Sequence, residues 1–444
     1  MQLRVPRRRD PSTAIGGALR TSVTGGAVGK AIELVTLVAL AVVVPRVLGP
    51  SDYGRFAVAL TVVTLGSLAL TLGGHTMMAR YVPAVPEPDR VAVARELGRR
   101  LARSRSPLVL AAVLAVSVAA IAAPDTVEPP LAAMVAVALV LNVVTTLLLQ
   151  VGLGLGRTGL WSARFPFQNA VLVIAVVALY PSLGLDGAVA GLVIASTATL
   201  VVAAQAVWPM LSIRPGGPAA VPDGALRFGT LQAGGAALTQ LTHRGGVLAV
   251  ALLGGSTVET GHAALAVGVA LGATYAILQL FTVALPHLSE EDHGRDDAEA
   301  LLRRLASVLL AVVVPGTLLV AATSSTVIPA VFGDDFSGAA SAFGPALGVV
   351  VLAPVSSLLV QASAIRLQPA VAFVSGIVSA AAFLIVAVLA VPAWDAVGGT
   401  VATLTGVVGG TAVAAVRMPG AASGRLLVVS FAAAAAVTAV GAAA

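Results

Sequence analysis

Residues 30–80 read KAIELVTLVALAVVVPRVLGPSDYGRFAVALTVVTLGSLALTLGGHTMMAR. They comprise an apolar run, the loop Pro45-Arg46-Val47-Leu48-Gly49-Pro50-Ser51-Asp52-Tyr53-Gly54-Arg55, and a second apolar run ending at Arg80. Each run is about twenty residues long, which at ~1.5 Å per residue crosses a ~30 Å hydrocarbon core. The Gly-Pro-Ser turn lets the two lie antiparallel as a helical hairpin. A similar hairpin recurs near residues 236–288.

Outward from this stretch, the chain keeps the same character. With 58% hydrophobic and 10% charged residues and a mean hydropathy of +0.99, it falls outside the range of water-soluble domains. It reads as an all-α polytopic membrane protein. Aromatics are scarce, so Ala, Gly, Val and Leu must make most helix contacts, and small residues let membrane helices approach closely. Without cysteine there is no disulfide, thiolate metal site or thiol nucleophile, and the five His are scattered, so no cofactor or metal is expected. The net charge of +6 sits mostly in short loops between apolar runs, where membrane topology explains it and nucleic acid is not needed. The first run is too long for a cleavable signal core and is expected to stay as an anchor.

Charge and Pro/Gly clusters divide the chain into about thirteen spans: 24–45, 56–79, 107–123, 131–152, 167–183, 187–210, 228–253, 262–285, 306–331, 341–364, 369–391, 396–416 and 425–443. Alternate connections carry Arg80 to Arg105, Arg157 and Arg164, Arg214 and Arg227, Arg295 to Arg304, Arg366, and Arg417 with Arg425. After Arg46 and Arg55, the opposite connections hold only acids: Asp125, Glu128, Asp186, Glu259, Asp334, Asp335 and Asp395. By the positive-inside rule the basic side, with the N-terminus, is cytoplasmic in the plasma membrane. The two long basic connections, 81–106 and 287–306, are expected to form amphipathic helices.

The hairpins belong to a repeat of slightly over two hundred residues. Leu48-Gly49-Pro50 with Gly54 to Ala59 parallels Leu253-Gly254-Gly255 with Gly261 to Ala266, and Tyr180-Pro181 with Asp186-Gly187-Ala188 parallels Val391-Pro392 with Asp395 and Gly398-Gly399. The expected architecture is two pseudo-symmetric six-helix bundles around a central cavity, about 12–14 transmembrane helices in all. Its parts would be a basic tail (1–23), an N-terminal bundle (24–212), a linker (213–227), a C-terminal bundle (228–417) and an additional helix at 425–444.

Val47 to Ala57, followed by Arg80-Tyr81, resembles the first hairpin of the polysaccharide-repeat flippases. These are the O-antigen and capsule branch of the multidrug/oligosaccharidyl-lipid/polysaccharide exporter superfamily. Val331 to Phe336, and Pro392 to Thr403, resemble later landmarks of that family. The resemblance implies a non-enzymatic transporter that flips a polyprenyl-diphosphate-linked oligosaccharide to the outer leaflet for cell-surface polysaccharide or lipopolysaccharide synthesis. Its surroundings would be membrane lipids, and its protein partners a polysaccharide polymerase and glycosyltransferases.

Ionisable groups inside spans are costly and mark the candidate sites. Lys30, the only lysine, shares a helix face with Glu33; either the pair faces a wet cavity for anion binding or proton coupling, or Lys30 snorkels to the interface with Glu33 as counter-ion. His243-Arg244 lies deep in the seventh span, one turn after Gln240. Arg244 there either lines the space between the halves and grips a phosphate bidentately, or pairs with Glu33 or helix carbonyls. Arg80 is either a topology charge or a contact for the lipid-linked diphosphate at the cavity mouth. His75 and His262 are expected to be satisfied by polar neighbours, and the amides of Asn142, Gln150 and others to bind helices together.

Two rivals use other chemistry. A cation-coupled multidrug exporter would be expected to use a cavity carboxylate, and Glu33 is almost the only acid inside a span. A membrane polymerase or ligase would need a long outer loop, and no outer connection exceeds about a dozen residues. A non-transporting partner in cell-wall assembly stays open as a third class.

Overall fold

A computed structural model describes the backbone of residues 11–122, 128–212, 225–288, 295–366 and 368–443, and with few exceptions the side chains from residue 32 onward. Among these residues every regular element is a helix. A bilayer offers no water to peptide groups, so the apolar runs must satisfy their hydrogen bonds internally. In order, the helices are α1 (Pro11–Leu70), α2 (Gly74–Tyr81), α3 (Glu87–Ala122), α4 (Pro129–Gly154), α5 (Thr158–Leu211), α6 (Ala225–Leu253), α7 (Thr257–Leu288), α8 (Arg295–Ala322), α9 (Ser324–Phe332), α10 (Ala340–Ile365), α11 (Pro369–Arg417) and α12 (Gly424–Ala443). A 3₁₀ turn, Asp334–Ala339, precedes α10.

Three helices are too long for one crossing. α1, α5 and α11 have 60, 54 and 49 residues and break at Gly49, Gly184 and Asp395. The stretch Pro45–Arg55, expected as a loop, is therefore helical on both sides of a one-residue break. Gly49 takes φ 69°, which a Cβ would disfavour. Pro50, which has no N–H to leave unpaired, then opens the second arm. Both arms run alongside α7: Pro50 abuts Gly261, while Leu37 on the first arm reaches Gly272. In α5 and α11 the chain folds back so that Gly187 packs on Leu179 and Gly398 on Ala390. Each of these glycines lies three residues after its break, so the repeat seen in the sequence is expressed as matching hairpins. Asp395 holds φ 42° without being glycine, and its Oδ1 accepts the Gly255 N–H at 3.1 Å, tying this hairpin to the α6–α7 turn.

Nine stretches among the described residues are long and apolar enough to cross a membrane, and three of them are the double helices just described. The helices form two lobes, α1–α5 and α6–α11, and α12 packs on the second through Gly441 against Gly344. The core is mainly Ala, Val and Leu, with Phe56, Phe281, Phe336, Phe343 and Phe383 as its bulky members. Small residues dominate because several helix pairs touch backbone to backbone, as at Gly235 with Gly376 and Gly246 with Gly399.

The tight turns gather at one end of the molecule, here called the acidic end. Arg55 pairs with Glu128 there at 3.0 Å, and the Tyr180 hydroxyl donates to Asp52 Oδ2 at 3.0 Å. The other, basic end holds the long connections. Residues 87–106, expected as a separate amphipathic segment, are the first turns of α3: Val93, Ala94, Leu97 and Leu101 are buried on one face while Arg99, Arg100 and Arg103 stay exposed. α8 begins similarly, burying Ala298, Leu302 and Ala306. There Arg366 grips Glu299 with two bonds of 2.6 and 2.7 Å and also donates to Pro419 O, fastening the α10–α11 and α11–α12 turns to α8. Most of the stretch read as an N-terminal tail, residues 11–23, lies on α1; residues 1–10, and residues 213–224 of the linker, lie outside the described residues.

Candidate functional site between the two halves

The halves meet backbone to backbone at both ends, with polar side chains along the helices between these contacts. At the acidic end α1 crosses α7. A Cβ on Gly54 would run into Thr257 O and one on Gly261 into Pro50 O, so each glycine sits on the carbonyl four residues before the other. Ser51 and Thr257 hydroxyls are 2.8 Å apart at the same crossing. At the basic end Gly229 of α6 packs on Gly73 and Met77 beside α2. Small residues are needed at both contacts because the backbones themselves meet.

Between these contacts α6 presents Gln240 and Arg244, four residues apart and so on one face. The Tyr275 hydroxyl of α7 donates to Gln240 Oε1 at 2.9 Å. Gly272, one turn before Tyr275, touches Leu37 of α1, and Glu33 lies one turn from Leu37 toward the basic end. Glu33, Gln240, Arg244 and Tyr275 are thus at similar depth on three neighbouring helices, and all four are half-buried. Tyr275 is the member the sequence did not single out; its hydroxyl one turn beyond the Gly268/Gly272 pair was the available signal. These three helices thus carry a guanidinium, a carboxylate and neutral hydrogen-bonding groups, of which Gln240 and Tyr275 are in direct contact.

The other candidates are spread out. His243 lines a small internal cavity with Val267, Ala270, Leu271, Ala346, Val349, Thr400 and Thr403, all residues of the second lobe. Lys30 is on α1, but its side chain lies outside the described residues. Arg80 ends α2, exposed at the basic end, with its guanidinium 5.9 Å from the Tyr81 ring centre. His75 is exposed and stacks on Trp161 at 6.2 Å.

Two expectations need correction. Arg164, read as a loop charge, is inside α5, 8% exposed, with Nη2 donating to Asn142 Oδ1 at 3.0 Å. Asn142 in turn donates to Ser196 Oγ at 2.8 Å. Hydropathy misplaces the start of this helix because Arg157 to Arg164 looks like a connection, whereas the buried amide supplies the partner that lets an arginine enter the lobe. His262, expected to have polar partners, is 5% exposed and has one polar neighbour, Glu259 Oε1 at 3.4 Å from Nδ1, but neither ring nitrogen meets hydrogen-bond geometry among the described residues.

Nine apolar stretches among the described residues, arranged in two lobes that meet in helix crossings at both ends, define a multi-pass membrane protein with a transporter-type fold. The chain belongs to the polysaccharide biosynthesis protein family, whose model matches residues 43–341. Its fold is similar to that of lipid II flippase MurJ in an inward closed conformation, with a TM-score of 0.71 at 10% identity over 93% of this chain and 91% of that one. It is also similar to an inward-facing multidrug resistance MATE family transporter of the MOP superfamily, with a TM-score of 0.58 at 13% identity over 93% and 98%. The Vibrio cholerae MATE transporter VcmN in its bent form matches with a TM-score of 0.53 at 14% identity over 96% and 98%. No curated protein sequence matches the chain.

Proposed function

We propose that this protein flips a polyprenyl-diphosphate-linked oligosaccharide from the cytoplasmic to the outer leaflet for cell-surface polysaccharide synthesis, by alternating access. The observation that carries the proposal is the half-buried layer of Glu33, Gln240, Arg244 and Tyr275 between two lobes. A diphosphate and a glycan cannot cross hydrocarbon unaided. A polar layer open sideways to lipid carries the head group while the prenyl tail stays in the bilayer. Arg244 holds a phosphate, Gln240 and Tyr275 meet hydroxyls, Glu33 and Lys30 balance charge, and Arg80 meets the head group at the entrance. His243 backs Arg244 from the second lobe. Family membership supports the pathway, and the basic end is assigned to the cytoplasm by the positive-inside rule.

The test uses the whole chain in proteoliposomes loaded with a fluorescent polyprenyl-diphosphate oligosaccharide. The wild type is expected to equilibrate it between leaflets, and Arg244→Ala to lose at least ~10-fold of the rate while remaining inserted. Wild-type flipping by Arg244→Ala removes Arg244 from the site; no flipping by the wild type overturns the substrate. A second reading, cation-coupled export of small drugs, draws on the likeness to MATE folds and on Glu33 in the layer. It expects drug efflux that Glu33→Gln abolishes.

A further inference from the structure

Helices α8 and α12 touch near both ends and part in between. At the basic end the Arg303 guanidinium of α8 donates to Gly420 O, in the turn before α12, at 3.1 Å. Toward the acidic end Gly441 of α12 faces Ala321 of α8, where an added Cβ would make ordinary contact at 3.7 Å. Between these contacts the helices leave a surface groove of about 550 Å³. Because α12 packs on α10 and α8 of the second lobe, the groove opens to lipid rather than to the space between lobes.

The lining changes character along its length. Ser307, Ser423 and Arg425 line the basic end, and Leu310, Val314, Leu426 and Val429 line the remainder. On α8 these positions recur at the three- and four-residue spacing of one helix face, and Arg304, one turn before Ser307, continues that face to the basic end. From Ser307 to Pro315 the groove follows α8 for ~12 Å, within the ~15 Å of hydrocarbon that one leaflet supplies.

Charge at the mouth is unbalanced. Glu299 is held by Arg366 at 2.6 and 2.7 Å and also lies 3.8 Å from Arg303, while Asp297, two turns before Arg304, is exposed. Arg425 and Arg304 are exposed and have no hydrogen bond or ion pair among the described residues. Ser423 Oγ accepts the Leu426 N–H at 3.2 Å, which leaves its own hydrogen to donate. A free guanidinium and a hydroxyl above an apolar slot one leaflet deep match a phosphate followed by an acyl chain.

We propose that this groove holds one anionic phospholipid, with its phosphate on Arg425 and Ser423 and an acyl chain between Leu310, Val314, Leu426 and Val429. The lipid fills the gap between α8 and α12 and fastens the last helix to the second lobe. Charge sets the class of lipid: a zwitterionic head group brings its own cation to Arg425 and Arg304, and an anionic one does not. One arginine at a membrane surface favours anionic lipid by ~5-fold. The proposal is independent of what the protein transports, since none of these residues belongs to the Gln240–Arg244 face.

The test offers the detergent-purified full chain equal amounts of phosphatidylglycerol and phosphatidylcholine and counts retained lipids by native mass spectrometry. The wild type is expected to keep one phosphatidylglycerol in preference to phosphatidylcholine, and Arg425→Gln to lose ~5-fold of that preference. Arg100→Gln, which removes an exposed arginine of the same end on α3, should keep it. Ala311→Trp fills the groove without changing any charge and should lose the bound lipid; added phosphatidylglycerol should raise the Tm of the wild type but not of this variant. Equal retention of the two lipids by the wild type, or an undiminished preference in Arg425→Gln, overturns the proposal. So does replacement of phosphatidylglycerol by an equal amount of a long-chain polyprenyl phosphate, which would give the groove to a prenyl tail instead.

Discussion

Replacing Gly261 by alanine adds one methyl at the closest approach of the two lobes. The new carbon would overlap Pro50 O and lie 2.8 Å from Pro50 C, where ordinary contact needs at least 3.4 Å. Both atoms are backbone, so no side chain can swing away, and α1 must move off α7. Overpacking of this kind costs about 1–3 kcal/mol. At ~1.4 kcal/mol per decade, that is a ~5- to 150-fold loss of the closed state relative to the open one. Moving α1 also loosens the packing of Tyr53 on Phe336, both buried at the crossing. Gly54→Ala strikes Thr257 O and Gly261 N from the opposite side and should do the same; because the two share one contact, the double variant should fall short of their sum. The assay is oxidation of a Ser51→Cys/Thr257→Cys pair, whose hydroxyls are 2.8 Å apart in the native crossing. Cross-linking should slow by about the same factor in the alanine variant. Unchanged cross-linking would refute the view that backbone contact at these glycines holds this end shut.

Other consequences can be measured separately. Arg164→Ala leaves Asn142 Oδ1 without its donor inside the first lobe, and should destabilise the detergent-purified protein by about 1–3 kcal/mol, read as a lower Tm. Glu299→Gln strips the charge from the buried partner of Arg366 and should lower Tm by more than Arg99→Ala, whose carboxylate partner Glu96 lies on the exposed face of α3 and is also bonded by Arg100. Tyr275→Phe removes the hydroxyl that donates to Gln240; flipping should slow while folding and insertion stay as in the wild type, as checked by rate and gel filtration. For orientation, single cysteines at Ser51 and Ser337 should label from outside the cell and one at Ser104 should not.

Much of the fold can be read from local composition. The positions of the spans follow from apolar runs of bilayer length, and the repeat from glycines and prolines recurring at a fixed offset. Those residues mark the places where the backbone must bend or come close, so they keep their spacing. Arg244 stood out as an ionisable group deep in a span. Tyr275 did not, because a phenol amid apolar residues carries no local sign of its partner 35 positions earlier. Arg164 was misassigned for the same reason: its charge is visible, but the Asn142 amide that accommodates it lies on another helix.

The sequence alone therefore determined that the chain crosses a membrane many times, in two related halves with basic connections on one side. Those properties depend on the transfer of each run from water to hydrocarbon, a quantity summed residue by residue. Only the tertiary structure decided how the halves meet. It showed that the hairpin at residues 30–80 turns on the single residue Gly49, and that Gly54 and Gly261 seal the acidic end. It also showed that the buried imidazole of His262 lies beside that seal, edge to face with Phe336. Within the bilayer, association is not driven by water exclusion, so which small residues touch is set by the shape of two facing helices, and shape is a property of the pair.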